Sequence, residues 1–140
     1  MNTLPTPTMK ALPEVNRWLL LEPWGFEVKP DKDNSQNWNG PKIFLVPQGF
    51  EWDGASKPFH NSSFFVLPSC HWKLVVPSLE HDFMCDNRKL MAEQGVDSVH
   101  AARHFRRQLI RYRVNDDGFN DVWEMYTAVR YGGPQWEAYA

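Results

Sequence analysis

Two short segments carry residue types that hydrolytic chemistry uses. The first spans residues 46–59, VPQGFEWDGASKPF, where Asp53 and Ser56 flank Gly54. A loop of this kind can aim a carboxylate and a hydroxyl into a cleft. The same residues also build Asx-type turns, in which Asp53 caps the backbone and Ser56 bonds locally, and that is their commoner use. The second spans residues 79–85, LEHDFMC, where His81 and Asp82 are adjacent and Cys85 follows His81 by one helical turn. A neutral imidazole beside a carboxylate suits a divalent metal that activates water. Asp53, Asp86, His71, His100 and His104 are the further donors available, although the spacing matches no closed zinc motif. Without a metal, Asp82 orients His81 by a hydrogen bond, as a structural pair or a general base. Asp53, Ser56, His81 and Asp82 are therefore the candidate catalytic set, and Asp53, His81 and Asp82 the candidate metal ligands.

A third feature is basic. His100, His104, Arg107 and Arg111 recur at helical spacing, with Arg103 alongside and Arg106 and Arg113 flanking them. Such a strip can bind phosphate, nucleic acid or an acidic protein surface. A charged helix face is more often simply solvated, and solvation is the expectation for this one. His100 and His104 have the spacing of a chelating pair, but the surrounding arginines repel a cation. Trp38 lies inside a polar stretch, where an exposed indole marks a contact surface. The nucleophile elbow, the phosphate-binding loop and the dinucleotide-binding glycine fingerprint do not occur. Cys70 and Cys85 form neither a CxxC pair nor a disulfide framework, which favours a reducing compartment or a particle assembled in one.

The elements that must position these residues divide at Pro77. Every proline except Pro134 lies at or before it, and proline breaks helix interiors. The first half reads as strands and loops and the second as helices, giving an α+β fold: a small antiparallel sheet packed on about three helices. Residues 17–22 and 24–28 read as strands; in the second, Trp24, Phe26 and Val28 alternate with Gly25 and Glu27. Residues 29–41 form a polar loop, 42–46 another strand, and 50–52 extend the sheet before Asp53-Gly54 turns the chain. Ser78 serves as a helix N-cap after Pro77. Leu79 and Phe83 face the core, and Gly95 ends the region. Asp97 or Ser98 caps the next helix, whose apolar stripe is Val99, Ala102, Phe105, Leu109 and Tyr112. Residues 115–118, NDDG, make a turn. A last helix over about residues 120–131 stops at Gly132-Gly133-Pro134.

Length and charge set the outer bounds. The chain has 140 residues, 42% of them hydrophobic, which fits one domain with a real core. Residues 1–15 read as an extended Pro-rich arm, 16–136 as the domain (β-rich over 16–77, helical over 78–131), and 137–140 as a tail. A net charge of −2 excludes a polyanion binder working through overall charge, though not a local basic patch. No apolar run is long enough to cross a bilayer, and the first residues lack the pattern of a secretory signal.

Four segments in order resemble a family of small bacteriophage and prophage proteins, domain of unknown function 1353. They are RWLLLEPW (17–24), VPQGFEWDGASKP (46–58), LEHDF (79–83) and AVRYGGPQW (128–136), so the resemblance covers about residues 16–136. The chain departs from the family at its "AD-x-x-F" segment, which reads AARHF here and puts Ala102 where the family has Asp. The resemblance implies a phage origin and a set of polar positions, Asp53, Ser56, His81 and Asp82, that cluster where the sheet meets the helices. It implies no activity.

The first expectation is a phage structural or accessory protein that acts by binding virion proteins (tail, neck or capsid-associated) or a host protein. It would be located in the virion or host cytoplasm, and would itself assemble as a homo-oligomer if an assembly requires it. Arg103, His104, Arg107, Arg111 and Trp38 are its candidate contact residues. The alternatives are a small metal-dependent hydrolase built on Asp53, His81 and Asp82, and an inhibitor of a host enzyme that uses the basic helix. Nucleic acid is the weaker partner, and a membrane is not expected.

Overall fold

The alternation that marks residues 24–28 as a strand is the one the structure uses. In a computed structural model, which describes residues 4–14, 17–30, 38, 40–53, 72–118 (117 and 118 by backbone only) and 121–139, strand β3 is Trp24–Val28 and β4 is Lys42–Val46. They pair antiparallel with Phe26 opposite Phe44. Phe26, Val28, Phe44 and Val46 point inward, while Gly25, Glu27, Ile43 and Leu45 stay exposed on the outer face. A second sheet has the order β1-β2-β5, with β1 Met9–Leu12, β2 Arg17–Leu20 and β5 Glu51–Trp52. Two sheets thus stand where one was expected. The split follows from the punctuation between strands. Pro23 separates β2 from β3, and Pro47 ends β4 ahead of a turn at Gly49, whose φ of 94° favours glycine. That turn is fastened by the Gly49 amide to the Leu20 carbonyl and the Leu20 amide to the Phe50 carbonyl.

The described residues of the segment read as an extended arm are extended, and they are bonded to their own domain. β1 pairs along the whole of β2, the Leu21 amide donates to the Thr8 carbonyl, and the Tyr112 hydroxyl donates to the Pro5 carbonyl. At the other end the Trp136 indole donates to the Val96 carbonyl and the Tyr139 amide to the Ala92 carbonyl, which ties down the C-terminal residues.

Among the described residues five α-helices follow: α1 Val75–Asp86, α2 Arg88–Glu93, α3 Ser98–Arg111, α4 Val114–Gly118 and α5 Asp121–Gly132. Helix α1 begins three residues before the expected cap. Pro77 lies in its first turn, where a missing amide costs no hydrogen bond, and the Ser78 hydroxyl donates back to the Val75 carbonyl instead of capping. Asn87 interrupts the helix, and Gly95, at φ 82°, closes α2. Asp97 caps α3 by accepting from the His100 amide at 2.8 Å. Residues 115–118, expected as a turn, are the body of α4. None of the described helices is long and apolar enough to cross a membrane.

Two apolar clusters meet along α3. In one, Leu20, Val28, Val46 and Trp52 of the sheets pack with Leu79, Phe83 and Met84 of α1 and with Ala101. In the other, Ala102, Phe105 and Leu109 pack with Val122, Met125 and Val129 of α5. Full burial of side chains this size contributes about 1.5–3 kcal/mol each. Ala102 is enclosed in this second, wholly apolar cluster. The result is an α+β arrangement with α3 as its central element.

Candidate functional site

Helix α1 carries three consecutive ionisable residues, Glu80, His81 and Asp82, and successive helical side chains diverge by about 100°. The three therefore enter three different surroundings.

Glu80 is 1% exposed and turns toward β3 and α3. Its Oε1 accepts from the His104 ring Nε2 at 2.6 Å and from Gln108 Nε2 at 2.8 Å, and its Oε2 accepts from the Trp24 indole at 2.7 Å. A buried carboxylate with three donors is compensated where an isolated one would be costly. The His104 ring also lies 5.3 Å from the Phe26 ring, which fixes its orientation.

His81 turns into the core. Its ring lies 5.2 Å from Phe105, and both ring nitrogens are 3.7 Å from Cys85 Sγ. Burial first, then the charge of His104, lower its pKa to about 4, so the imidazole is neutral at physiological pH. Burial, followed by the charges of Asp82 and Asp86, pushes the Cys85 thiol up to about 12, and a thiol held protonated is a poor nucleophile.

Asp82 turns toward the end of β5, where its carboxyl hydrogen-bonds the carboxyl of Asp53. Burial raises its pKa well above the usual carboxylate range. The charge and hydrogen bond of Asp53 and the charge of Asp86 add to this, and Arg17 opposes it. Asp82 therefore favours its protonated form, as a buried carboxyl beside other carboxyls does.

The structure thus joins Asp53 to Asp82 and points His81 elsewhere, while Ser56 lies outside the described residues. Among the described residues, no group of three or more His, Cys, Asp or Glu side chains converges on a position that a metal ion could occupy. His81, turned into the core, does not join Asp53 and Asp82 in the ligand set read from the sequence.

The basic strip of α3 is not the solvated face that was expected. His100 and His104 are buried, Arg103 and Arg107 half-buried, and Arg111 exposed over the Tyr112 ring. The reason is the central position of α3, which packs on α1 and β3 as well as α5. Asp97 accepts from the His100 ring at 2.8 Å. Burial works to raise the Asp97 pKa, but this bond and those from the His100 and Val99 amides hold its carboxyl below the usual range. Trp38 is half-buried against His100, ring centroids 5.0 Å apart, with the Lys42 ammonium 5.6 Å from its ring.

Between β3 and α3 lies a cleft of about 810 Å³. Trp24, Gly25, Phe26, Glu27 and Lys29 form one wall, and His104, Arg107, Gln108 and Arg111 the other, with Glu80 beneath and Pro5 and Pro23 also lining it. Arg107 Nη1 donates to the Lys29 carbonyl, linking the walls. Arg107 also borders a smaller hollow of about 260 Å³ with Arg103, Arg106 and Ile110. Among the described residues, Lys29, Arg107, Arg111 and Glu27 line the cleft around the enclosed Glu80. The arrangement suits anionic groups presented beside an aromatic wall.

Glu80, Trp24, Gln108 and Lys29 were absent from the sequence-derived set. Gln108 was within reach, since it follows His104 by one turn of the same helix. Glu80 and Trp24 meet only through the tertiary fold. Compared with known proteins, the chain matches no family model, no curated protein and no solved structure.

Proposed function

We propose that this chain is a bacteriophage-encoded accessory or structural protein that acts by binding other proteins, either virion components (tail, neck or capsid-associated) or a host protein, in the virion or the host cytoplasm. The phage origin rests on the four motif segments described above. One observation carries the binding role: the cleft between β3 and α3 encloses Glu80 with three donors, and the exposed Lys29 and Arg111 on its walls present positive charge to an acidic partner. The outer face of the β3–β4 sheet adds apolar contact area, with Ile43 and Leu45 exposed side by side on β4. The test is mass spectrometry of purified particles and of affinity-captured complexes from infected cells. Wild-type protein is expected at stoichiometric level with a defined partner, and Arg111→Glu is expected to weaken the association at least tenfold. Absence from particles together with no saturable partner overturns the reading.

A second reading, a small hydrolase, draws on the shared hydrogen bond of Asp53 and Asp82. Asp82, whose burial and carboxyl neighbours favour its protonated form, can serve as a general acid. Ser56 and a divalent ion belong to this reading as expectations. Its test is metal analysis of purified protein together with turnover of cell-wall and nucleotide substrates, each compared with Asp82→Asn. Substrate turnover that Asp82→Asn abolishes supports it.

A further inference from the structure

β3 is hydrogen-bonded to β4 along one edge, and among the described residues no strand pairs with its other edge. Trp24, Gly25, Phe26 and Glu27, four consecutive residues of β3, line the cleft, and α3 faces them with Arg107 and Arg111. An open strand edge is a template for another strand. Here the template lies inside a groove with an aromatic wall on one side and cations on the other.

We propose that this groove takes an extended acidic peptide segment of a protein partner by strand addition to β3, with carboxylates at alternate positions facing α3. The inference rests on the binding role proposed above and specifies its partner. Spacing supports it. Alternate side chains on one face of a strand are about 6.8 Å apart, and Arg107 and Arg111, one turn apart, have Cβ atoms about 5–6 Å apart. Two carboxylates at i and i+2 of the added strand therefore match the spacing of these two positions, the first meeting the exposed Arg111 and the second lying beside Arg107, which also donates to the Lys29 carbonyl. Main-chain bonds to β3 supply affinity, and the arginines and Lys29 select the sequence. The five residues of β3 set the length of the segment at about five residues. A nucleic acid fits less well, because a phosphate chain has no use for an open strand edge.

The probe is a seven-residue peptide alternating Glu and Thr, titrated into the full-length ¹⁵N-labelled protein. The controls are a Lys/Thr peptide and a single-stranded oligonucleotide of equal charge. Saturable binding of the Glu/Thr peptide is expected, with slowed amide exchange confined to residues 24–28. Affinity is expected to fall at least tenfold in Arg111→Glu, whose exposed side chain can change without disturbing the fold, and to fall as salt rises. Preference for the oligonucleotide, equal binding of the Lys/Thr peptide, unchanged affinity in Arg111→Glu, or binding without protection of β3 each overturns the proposal. The particle experiment reads separately. Wild-type protein with a saturable partner but no peptide binding rejects the groove and leaves the broader role standing; peptide binding by a protein with no partner does the reverse.

Discussion

Glu80 and Asp82 have the same chemistry, two residues apart on one helix, and opposite surroundings. Glu80 meets three donors from β3 and α3. Asp82 meets another carboxyl at the end of β5, with Asp86 a turn away. Each joins the sheet half of the molecule to the helical half. The first joint is a buried carboxyl group whose two oxygens meet three donors. The second is a carboxyl that burial and its carboxyl neighbours push toward the protonated form. A helix can thus fasten two neighbouring sheets by contrasting means, because its 100° step sends neighbours in different directions.

The largest effect is expected at the compensated joint. Glu80→Leu leaves the His104 ring, the Gln108 amide and the Trp24 indole without their acceptor in a buried site, and should cost about 3–5 kcal/mol in urea denaturation. Glu80→Gln keeps an acceptor for His104 but turns an amide toward one of the other donors, and should cost about 1–3 kcal/mol. If Glu80→Gln matches wild type, the three hydrogen bonds to Glu80 do not form the joint that the contrast requires.

His81 lies between the two joints and adds an acid-sensitive term. Its folded pKa of about 4 lies below the ordinary 6.5, so below 6.5 the unfolded chain binds more protons than the folded one. Stability is therefore lost as pH falls from 6.5 toward 4, by about 3 kcal/mol for this group. His81→Leu, similar in volume and set against Phe105, should be near wild type at pH 7.5 and more stable than wild type at pH 4.5. Urea titrations at the two pH values test this. A parallel fall in both proteins would mean that His81 is charged within the fold.

Local pattern made part of this legible. The alternation of Trp24, Phe26 and Val28 gave β3 its bounds, and the Asp97 cap with the stripe of Ala102, Phe105 and Leu109 gave α3. Patterns of this kind are written in neighbouring residues. The Glu80 joint is not: its partners lie 56, 24 and 28 residues away, and no periodicity links those positions. The basic strip misled for a related reason. His100, His104 and Gln108 have the polarity of a solvated face, and only the packing of α3 on three sides shows that their hydrogen bonds are made inside. The start of α1 was missed because Pro77 reads as a stop, although a first helical turn accepts it.

A smaller effect separates the N-terminal segment from both joints. Tyr112 is buried and donates to the Pro5 carbonyl; burial pushes its phenol up to about 12, with Glu80 adding to this and Arg111 opposing it. Tyr112→Phe removes one hydrogen bond, about 1 kcal/mol, and should speed proteolysis within residues 4–14 while leaving α3 protected. Equal cleavage in both proteins would assign the hold on that segment to the β1–β2 pairing alone.

The smallest effect is expected at the second joint, and its sign is the informative part. The folded-state pKa of Asp82 is raised, so the folded chain binds the extra proton, and the stability linked to it is complete at low pH and lost as pH rises through the folded pKa. Asp82→Asn supplies a permanent donor to Asp53 and removes the need for that proton. The variant should match wild type in acid and melt modestly higher than wild type in base. If Asp82→Asn lowers the melting temperature across the whole range, a protonated Asp82 does not stabilise the fold, and the contrast between the joints reduces to the number of donors each carboxyl meets.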